Sequence, residues 1–360
     1  MITKISVKNY KCLKDFSVED LRPINLIAGK NNVGKSTLLE SIFLFFNKFS
    51  IDIFSKILGF RRIQANLSVQ WLWKTLFIDM NSENNVFISL MLDNILHTTT
   101  FSLDPFFNFS FLPINQNKIN IDKTIVNGHN YQALKVNYSC QALNIDYMYF
   151  FLLIKNELSF FTHNEAILTQ NNILAQYLNQ NIEVNQSLLT EYFSKLDLHS
   201  ETNNVVEILM KIEQRLVDLS VIDIYGFNSL FADIGLPVKL PLAALGDGAN
   251  KFAQIVLTLL TNPGSIVLID GIENGFHYKF FPILWETLGL LVEKTGCQVF
   301  ATTYSFECIE GAQIFTKNND IFKNGIFRFI RLDNIKGVIK SVSFNSESFN
   351  IFLDNNFEIR

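Results

Sequence analysis

Gly29-Lys30-Asn31-Asn32-Val33-Gly34-Lys35-Ser36-Thr37 decides how this chain is read. It meets the phosphate-binding pattern G-x-x-x-x-G-K-[ST] at every fixed position. Ile24-Asn25-Leu26-Ile27-Ala28, just before it, is a short apolar run that reads as a buried strand. Leu38, Leu39, Ile42, Phe43 and Phe46, just after it, recur at helical spacing. Strand, glycine loop and helix start together turn a string match into a site. Backbone N–H groups of the loop and of the helix N-terminus converge there and favour negative charge. In this setting Lys35 reaches the terminal phosphates of a nucleotide and Ser36 holds its magnesium ion.

Composition bounds the rest. A chain of 360 residues, 48% hydrophobic and 18% charged, has room for a sizeable core in one large or two medium domains, and disorder is not expected. The 35 phenylalanines read as compositional bias of the source genome. A formal net charge of -4 gives no global pull toward nucleic acid or membrane. Cys12, Cys140, Cys297 and Cys308 lack metal-ligand spacing and are expected as reduced, buried thiols. Met1-Ile2-Thr3-Lys4-Ile5 reads as a strand and not as a signal peptide. The apolar run from Tyr147 to Ile154 is far short of the roughly 20 residues that span a bilayer. A soluble, cytoplasmic protein without a membrane partner is expected.

Residues 2–18 alternate as two strands joined near Asn9-Tyr10-Lys11-Cys12. Lys4, Lys8, Lys11 and Lys14 in this hairpin fit either of two roles, a solvated sheet edge or a DNA-facing row. Residues 1–53 thus hold the N-terminal strands, the phosphate loop and its helix. Residues 54–240 form an insertion with no motif. Within it Asn85–Leu92, Gln132–Cys140 and Ile145–Ile154 are β-prone and point to an antiparallel sheet. Trp71, Trp73 and Phe77 read as core residues; Arg61-Arg62 is the one adjacent arginine pair. From Ser187 to Leu219 the pattern turns helical, with Val205, Ile208, Leu209, Ile212, Leu216 and Leu219 on one face. No sustained heptads occur, which excludes a long coiled-coil arm.

Residues 241–360 carry the second half of the site. Leu245-Gly246-Asp247-Gly248-Ala249-Asn250-Lys251 is a glycine turn before the apolar helix Phe252–Leu260. Ser265-Ile266-Val267-Leu268-Ile269-Asp270 is a buried strand ending in a carboxylate, which beside a phosphate loop orients magnesium; capping a turn is its other common use. A helix of about sixteen residues separates it from the strand Gln298–Thr303, making a βαβ unit. Phe327–Val342 closes as a hairpin with its turn near Asn334–Gly337.

The order of these pieces, with Ile269-Asp270-Gly271-Ile272-Glu273-Asn274-Gly275-Phe276-His277-Tyr278, resembles the prokaryotic AAA family ATPases of the OLD-like type, which are similar to ABC- and RecF-type heads. The resemblance covers roughly the first 50 residues and those from Asp233 to about Phe315. It implies an α/β fold: an ABC-type ATPase head with a P-loop core sheet, an antiparallel β lobe and a mostly helical insertion. It implies ATP and magnesium as cofactors. Gly29, Asn31, Asn32, Gly34, Lys35, Ser36 and Thr37 would cradle the nucleotide, and Ser36 and Asp270 would hold the metal. It also implies a homodimer, or a larger even-numbered oligomer, around sandwiched ATP. Gly246, Asp247 and Gly248 would then meet the γ-phosphate bound by the other subunit. Relatives of this type are often half of two-gene antiphage systems whose other half is a TOPRIM- or HNH-type nuclease, so a separate effector is expected. A RecF-like DNA-repair ATPase is the alternative.

Two departures from the family pattern bear on chemistry. A glutamate that polarises the attacking water usually follows the strand-end aspartate, where this chain has Gly271. A histidine usually follows the later strand, where this chain has Tyr304. Glycine cannot orient water, and a phenol is a poor stand-in for imidazole. ATP binding with slow or absent hydrolysis is expected; turnover through Glu273 or a partner residue is the other outcome.

Overall fold

A computed structural model describes residues 1–50, 52–60, 69–107, 131–154, 157–162, 175–179, 186–318 and 325–355. The Arg61-Arg62 pair lies outside them. β1 (Ile2–Tyr10) and β2 (Leu13–Glu19) form the first hairpin, and the fully buried β3 (Ile24–Gly29) runs into the phosphate loop and α1 (Lys35–Phe46). α2 (Ile53–Phe60) and α3 (Val69–Lys74) precede β4 (Val86–Leu92), β5 (Ile95–Phe107), β6 (Tyr131–Cys140), β7 (Ile145–Ile154) and β8 (Glu157–Thr162). Then come β9 (Ala175–Leu178), α4 (Gln186–Leu198), α5 (Thr202–Leu209), β10 (Asp218–Ile224), β11 (Phe227–Asp233) and β12 (Leu240–Pro241). The chain continues through α6 (Asp247–Thr261), β13 (Ile266–Ile269), α7 (Phe281–Thr295) and β14 (Gln298–Thr302). α8 (Phe306–Asn318), β15 (Phe327–Ile335), β16 (Val338–Phe344) and α9 (Ser346–Asp354) complete it.

Two compact units result, one of Met1–Asp20, Ser36–Asn172 and Asp333–Ser341, the other of Leu21–Lys35, Ile173–Leu332 and Val342–Arg360. The first is built on a seven-stranded antiparallel sheet of order β2-β1-β4-β5-β6-β7-β8. Its strands bury alternate residues, Ile5 and Val7 on β1 and Ile88 and Leu90 on β4, as one-sided sheets do. Phe54 of α2 meets Trp73 and Phe151 edge-on, both with ring centroids at 5.0 Å. Trp73 and Phe77 are core as expected, but Trp71 is exposed: it lies two residues from Trp73 on α3, so the two rings leave the helix on different faces. Lys4 and Lys8 sit on β1, an interior strand, so they do not blunt an edge. They form cross-strand ion pairs with Glu19 and Asp15 at 2.6 and 3.6 Å. Cys12 is exposed, contrary to expectation, while Cys140, Cys297 and Cys308 are buried; all four are free thiols.

The second unit is built on a six-stranded sheet of order β16-β15-β3-β14-β13-β9. β9, β13, β14, β3 and β15 run parallel, and β3, β13 and β14 are buried end to end because helices flank them. Trp285 of α7 anchors this core and donates its indole N–H to the Cys308 carbonyl at 3.0 Å. The helical reading of Ser187–Leu219 fails at its end. α5 stops at Leu209, and Leu219 belongs to β10, whose hairpin with β11 turns through Tyr225 and Gly226, both at positive φ. Among the described residues the longest helices, α6 and α7, have 15 residues each. None is long and apolar enough to cross a membrane.

Candidate functional site

The phosphate loop is shaped by three positive-φ residues, Gly29 at 147°, Asn32 at 63° and Gly34 at 85°. At Gly29 a Cβ would lie 2.5 Å from the Leu332 carbonyl oxygen and 2.9 Å from Val33, so only glycine fits where β3 turns out of the sheet. Asn31 and Asn32 are exposed on the loop, and Ser36 and Thr37 occupy the first turn of α1. That turn carries no acidic residue, which leaves its positive end to an anion. Lys35 folds back over the loop: its Nζ donates to the carbonyls of Gly29 at 2.7 Å and Lys30 at 2.9 Å. Burial lowers its pKa, while the charges of Glu273 and Asp270 pull it back up.

Those carboxylates follow β13. Asp270, 6% exposed, accepts the Thr302 hydroxyl at 2.6 Å and the Tyr177 hydroxyl at 3.2 Å. Gly271 has φ 60°, donates its N–H to Thr302 Oγ1 at 2.8 Å, and accepts Lys251 Nζ on its carbonyl at 2.5 Å. Glu273, 7% exposed, accepts the Tyr304 backbone N–H at 3.0 Å on Oε1; its buried Oε2 has no hydrogen-bond partner. An orphaned carboxylate oxygen in a dry site is costly and is an open acceptor for a bound group. Tyr304 is 47% exposed and its hydroxyl bonds Asn274 at 3.3 Å. Ser305 then caps α8 by accepting the Cys308 N–H at 3.1 Å.

The glycine turn lines a concavity. Gly246, at φ 105°, precedes α6, and a Cβ on Gly248 would meet the Gly275 carbonyl at 2.6 Å. The turn can therefore pack on the loop after Asp270 only as glycine. A cavity of about 540 Å³ opens here, lined by Ile212, Asp247, Gly248, Phe276 and Lys279 among others. Two residues that sequence reasoning missed complete the arrangement. Lys251, the one basic residue of α6, carried a signal; burial pushes its pKa down to about 8 against the upward pull of Glu273, Cys308 and Asp270. Tyr177 carried none, because β9 was not foreseen.

The site thus brings Lys35, Asp270, Glu273 and Tyr304 together in one unit, with the Gly246–Gly248 turn packed on Gly275 of the same loop. The residues fit a magnesium nucleotide: a glycine cradle, a cation, a strand-end carboxylate and one unsatisfied acceptor.

The chain is similar to several known proteins. An "ATP/GTP phosphatase" of Helicobacter pylori is 25% identical over 340 residues, 86% of this chain and 87% of its own length. An uncharacterized protein of Methanocaldococcus jannaschii is 44% identical over 59 residues, 16% of this chain and 27% of that protein. The solved structure of an Smc head bound to the C-winged helix domain of ScpA superposes with a TM-score of 0.52 at 13% identity, covering 96% of this chain and 97% of that one. At that identity the likeness speaks for the fold, an α/β ATPase head. The profile of the AAA ATPase domain matches residues 1–226, more than half of the sequence, and the chain belongs to that ATPase family.

Proposed function

We propose that this ATPase is a nucleotide clamp: Mg–ATP binds at Gly29–Thr37, two heads close around it, and hydrolysis is slow or absent. The observation that carries the reading is Gly271. It stands where a water-polarising glutamate is expected, and both of its backbone polar groups are already engaged, by Thr302 and Lys251. Tyr304, at the expected histidine position, spends its hydroxyl on Asn274. Magnesium on the nucleotide supplies charge neutralisation; Asp270, with Ser36 as the motif's second ligand, would hold it. Gly246–Gly248 and the N-terminus of α6 would accept the phosphate carried by the other head. A dimer, or a larger even-numbered assembly, follows from that division of the site.

The clamp would control a separate effector, in our reading a TOPRIM- or HNH-type nuclease of a two-component antiphage system. The OLD-like order of motifs supports this. A second reading, ordinary phosphatase turnover, is favoured by the name of the Helicobacter pylori relative and by the free Oε2 of Glu273. One experiment separates them: sedimentation with and without a non-hydrolysable ATP analogue, alongside phosphate release. A nucleotide-dependent dimer with little release supports the clamp. An unchanged mass at saturating nucleotide, or release matching glutamate-bearing relatives, sinks it.

A further inference from the structure

Lys251 lies outside the phosphate loop and is 3% exposed on the second turn of α6. Its ammonium donates to the Gly271 carbonyl at 2.5 Å, and the Phe276 ring centroid lies 5.9 Å from it. Taking a lysine out of water costs several kcal/mol unless its charge is met, so Met or Leu would serve a packing role better. The charge is met by the loop itself, through the Gly271 carbonyl and the fields of Asp270 and Glu273. α6 begins at the Gly246–Gly248 turn, and Gly248 already touches Gly275 at the far end of the same loop. One rigid helix therefore grips both ends of the segment that carries both carboxylates.

We propose that Lys251 is a positioning residue that couples the Gly246–Gly248 turn to the Asp270–Gly275 loop. An anion held at the turn then fixes the carboxylates of the same head. This deepens the clamp reading and rests on it.

The test uses the full chain, Mg–AMP-PNP, and the variants Lys251→Met and Lys251→Arg. For Lys251→Met we expect nucleotide affinity within about threefold of wild type, dimerisation weaker by about tenfold, and amide exchange at 271–275 faster by about tenfold, the scale of coupling through one network residue. Lys251→Arg, which keeps a donor and a charge, should restore dimerisation and slow exchange. Wild-type dimerisation by Lys251→Met, or an Arg variant that behaves like Met, overturns the proposal. If Lys251→Met gives no cooperative melt, the Arg variant decides alone: retained dimerisation supports the coupling and its loss overturns it. If the wild type itself stays monomeric, the clamp reading falls. Exchange then judges Lys251 separately, faster exchange in Lys251→Met supporting the link to the loop and unchanged exchange refuting it.

Discussion

Each compact unit buries a lysine, and the two are treated in opposite ways. In the second unit Lys251 is answered by a backbone carbonyl and by the fields of two carboxylates. In the first, Lys48 is 5% exposed and its Nζ donates to the Phe45 carbonyl at 3.0 Å. Aromatic rings take the rest of its surface, with centroids at 4.2 Å for Tyr138, 4.6 Å for Phe45 and 4.7 Å for Phe49. No ion pair reaches it among the described residues, and burial drives its pKa down to about 7. Ring quadrupoles return about 2 kcal/mol to a desolvated cation, less than the several kcal/mol that desolvation takes. A lysine met by carboxylates belongs to a site. A lysine met by one carbonyl and by rings, with no carboxylate, is a stability cost, and the difference can be measured.

The largest effect should come from the nucleotide region. Lys35→Ala removes the cation that would meet the phosphates of the nucleotide, and truncating one partner of a charge pair closed on binding costs roughly 2–5 kcal/mol. Calorimetry should therefore show Mg–ATP affinity falling by about a hundredfold or more with melting little changed. A drop below about tenfold would mean that the charge in this region is not organised around the ligand.

The cage should answer with the opposite sign. Lys48→Met ought to raise stability by about 2 kcal/mol, as apolar replacement of buried charge often does, and leave nucleotide affinity alone. The lysine's folded pKa, about 7, lies below its ordinary 10.5, so between these values the unfolded chain binds the extra proton. Wild-type stability should then rise with pH from 7 to 9, Lys48 contributing roughly 1.4 kcal/mol per unit at most, and the Met variant should lose that part and keep only the rise above pH 8 that Lys251 contributes. His97 bonds Tyr138 at 2.8 Å, and burial and Lys48 lower its pKa. It adds a further rise with pH below its ordinary 6.5, with the same sign. Equal slopes in wild type and variant would refute the assignment of cost to Lys48.

A third change adds a carboxylate to the region that already balances its lysines. Gly271→Glu with Tyr304→His should raise ATP turnover by about tenfold, a modest gain for a missing water-positioning group. The gain is held down because Gly271 sits at φ 60°, where a side chain costs about 1–2 kcal/mol. No rise in phosphate release would mean that the two departures are not what limits hydrolysis.

How far the sequence foretells these regions differs in the same way. The phosphate loop was legible because every group in it is local: glycines, Lys35 and the helix start lie within nine residues. Asp270 was legible as the end of an apolar strand. The partners that fix it were not, because Tyr177 arrives on β9 and Thr302 on β14, and periodicity does not report parallel pairing across 93 and 32 residues. The antiparallel sheet was read from alternation, although β5 and β8 were missed. Leu219 was misread as helical because Leu216 and Leu219 are three apart, and Gly226, the turn residue that sets the hairpin, came after the window. The cage around Lys48 left no trace, since its rings come from α1, the residues after it and β6.

The smallest effect belongs to the lysines outside both regions. Lys4 and Lys8 pair with Glu19 and Asp15 across β1 and β2, with about half of each lysine in water. Exposed pairs of this kind contribute about 0–1 kcal/mol and weaken with salt. Lys4→Gln with Lys8→Gln should lower stability by less than about 1 kcal/mol, and the deficit should shrink in high salt. The pairing also bears on the DNA-facing alternative for this row. Two lysines that contacted phosphates would each contribute nearly one unit to the salt slope of duplex binding, so the double variant would lose about two. Lysines already neutralised by their own hairpin should leave that slope unchanged. A slope reduced by two would move these residues out of the solvated class and make the first sheet a nucleic-acid surface.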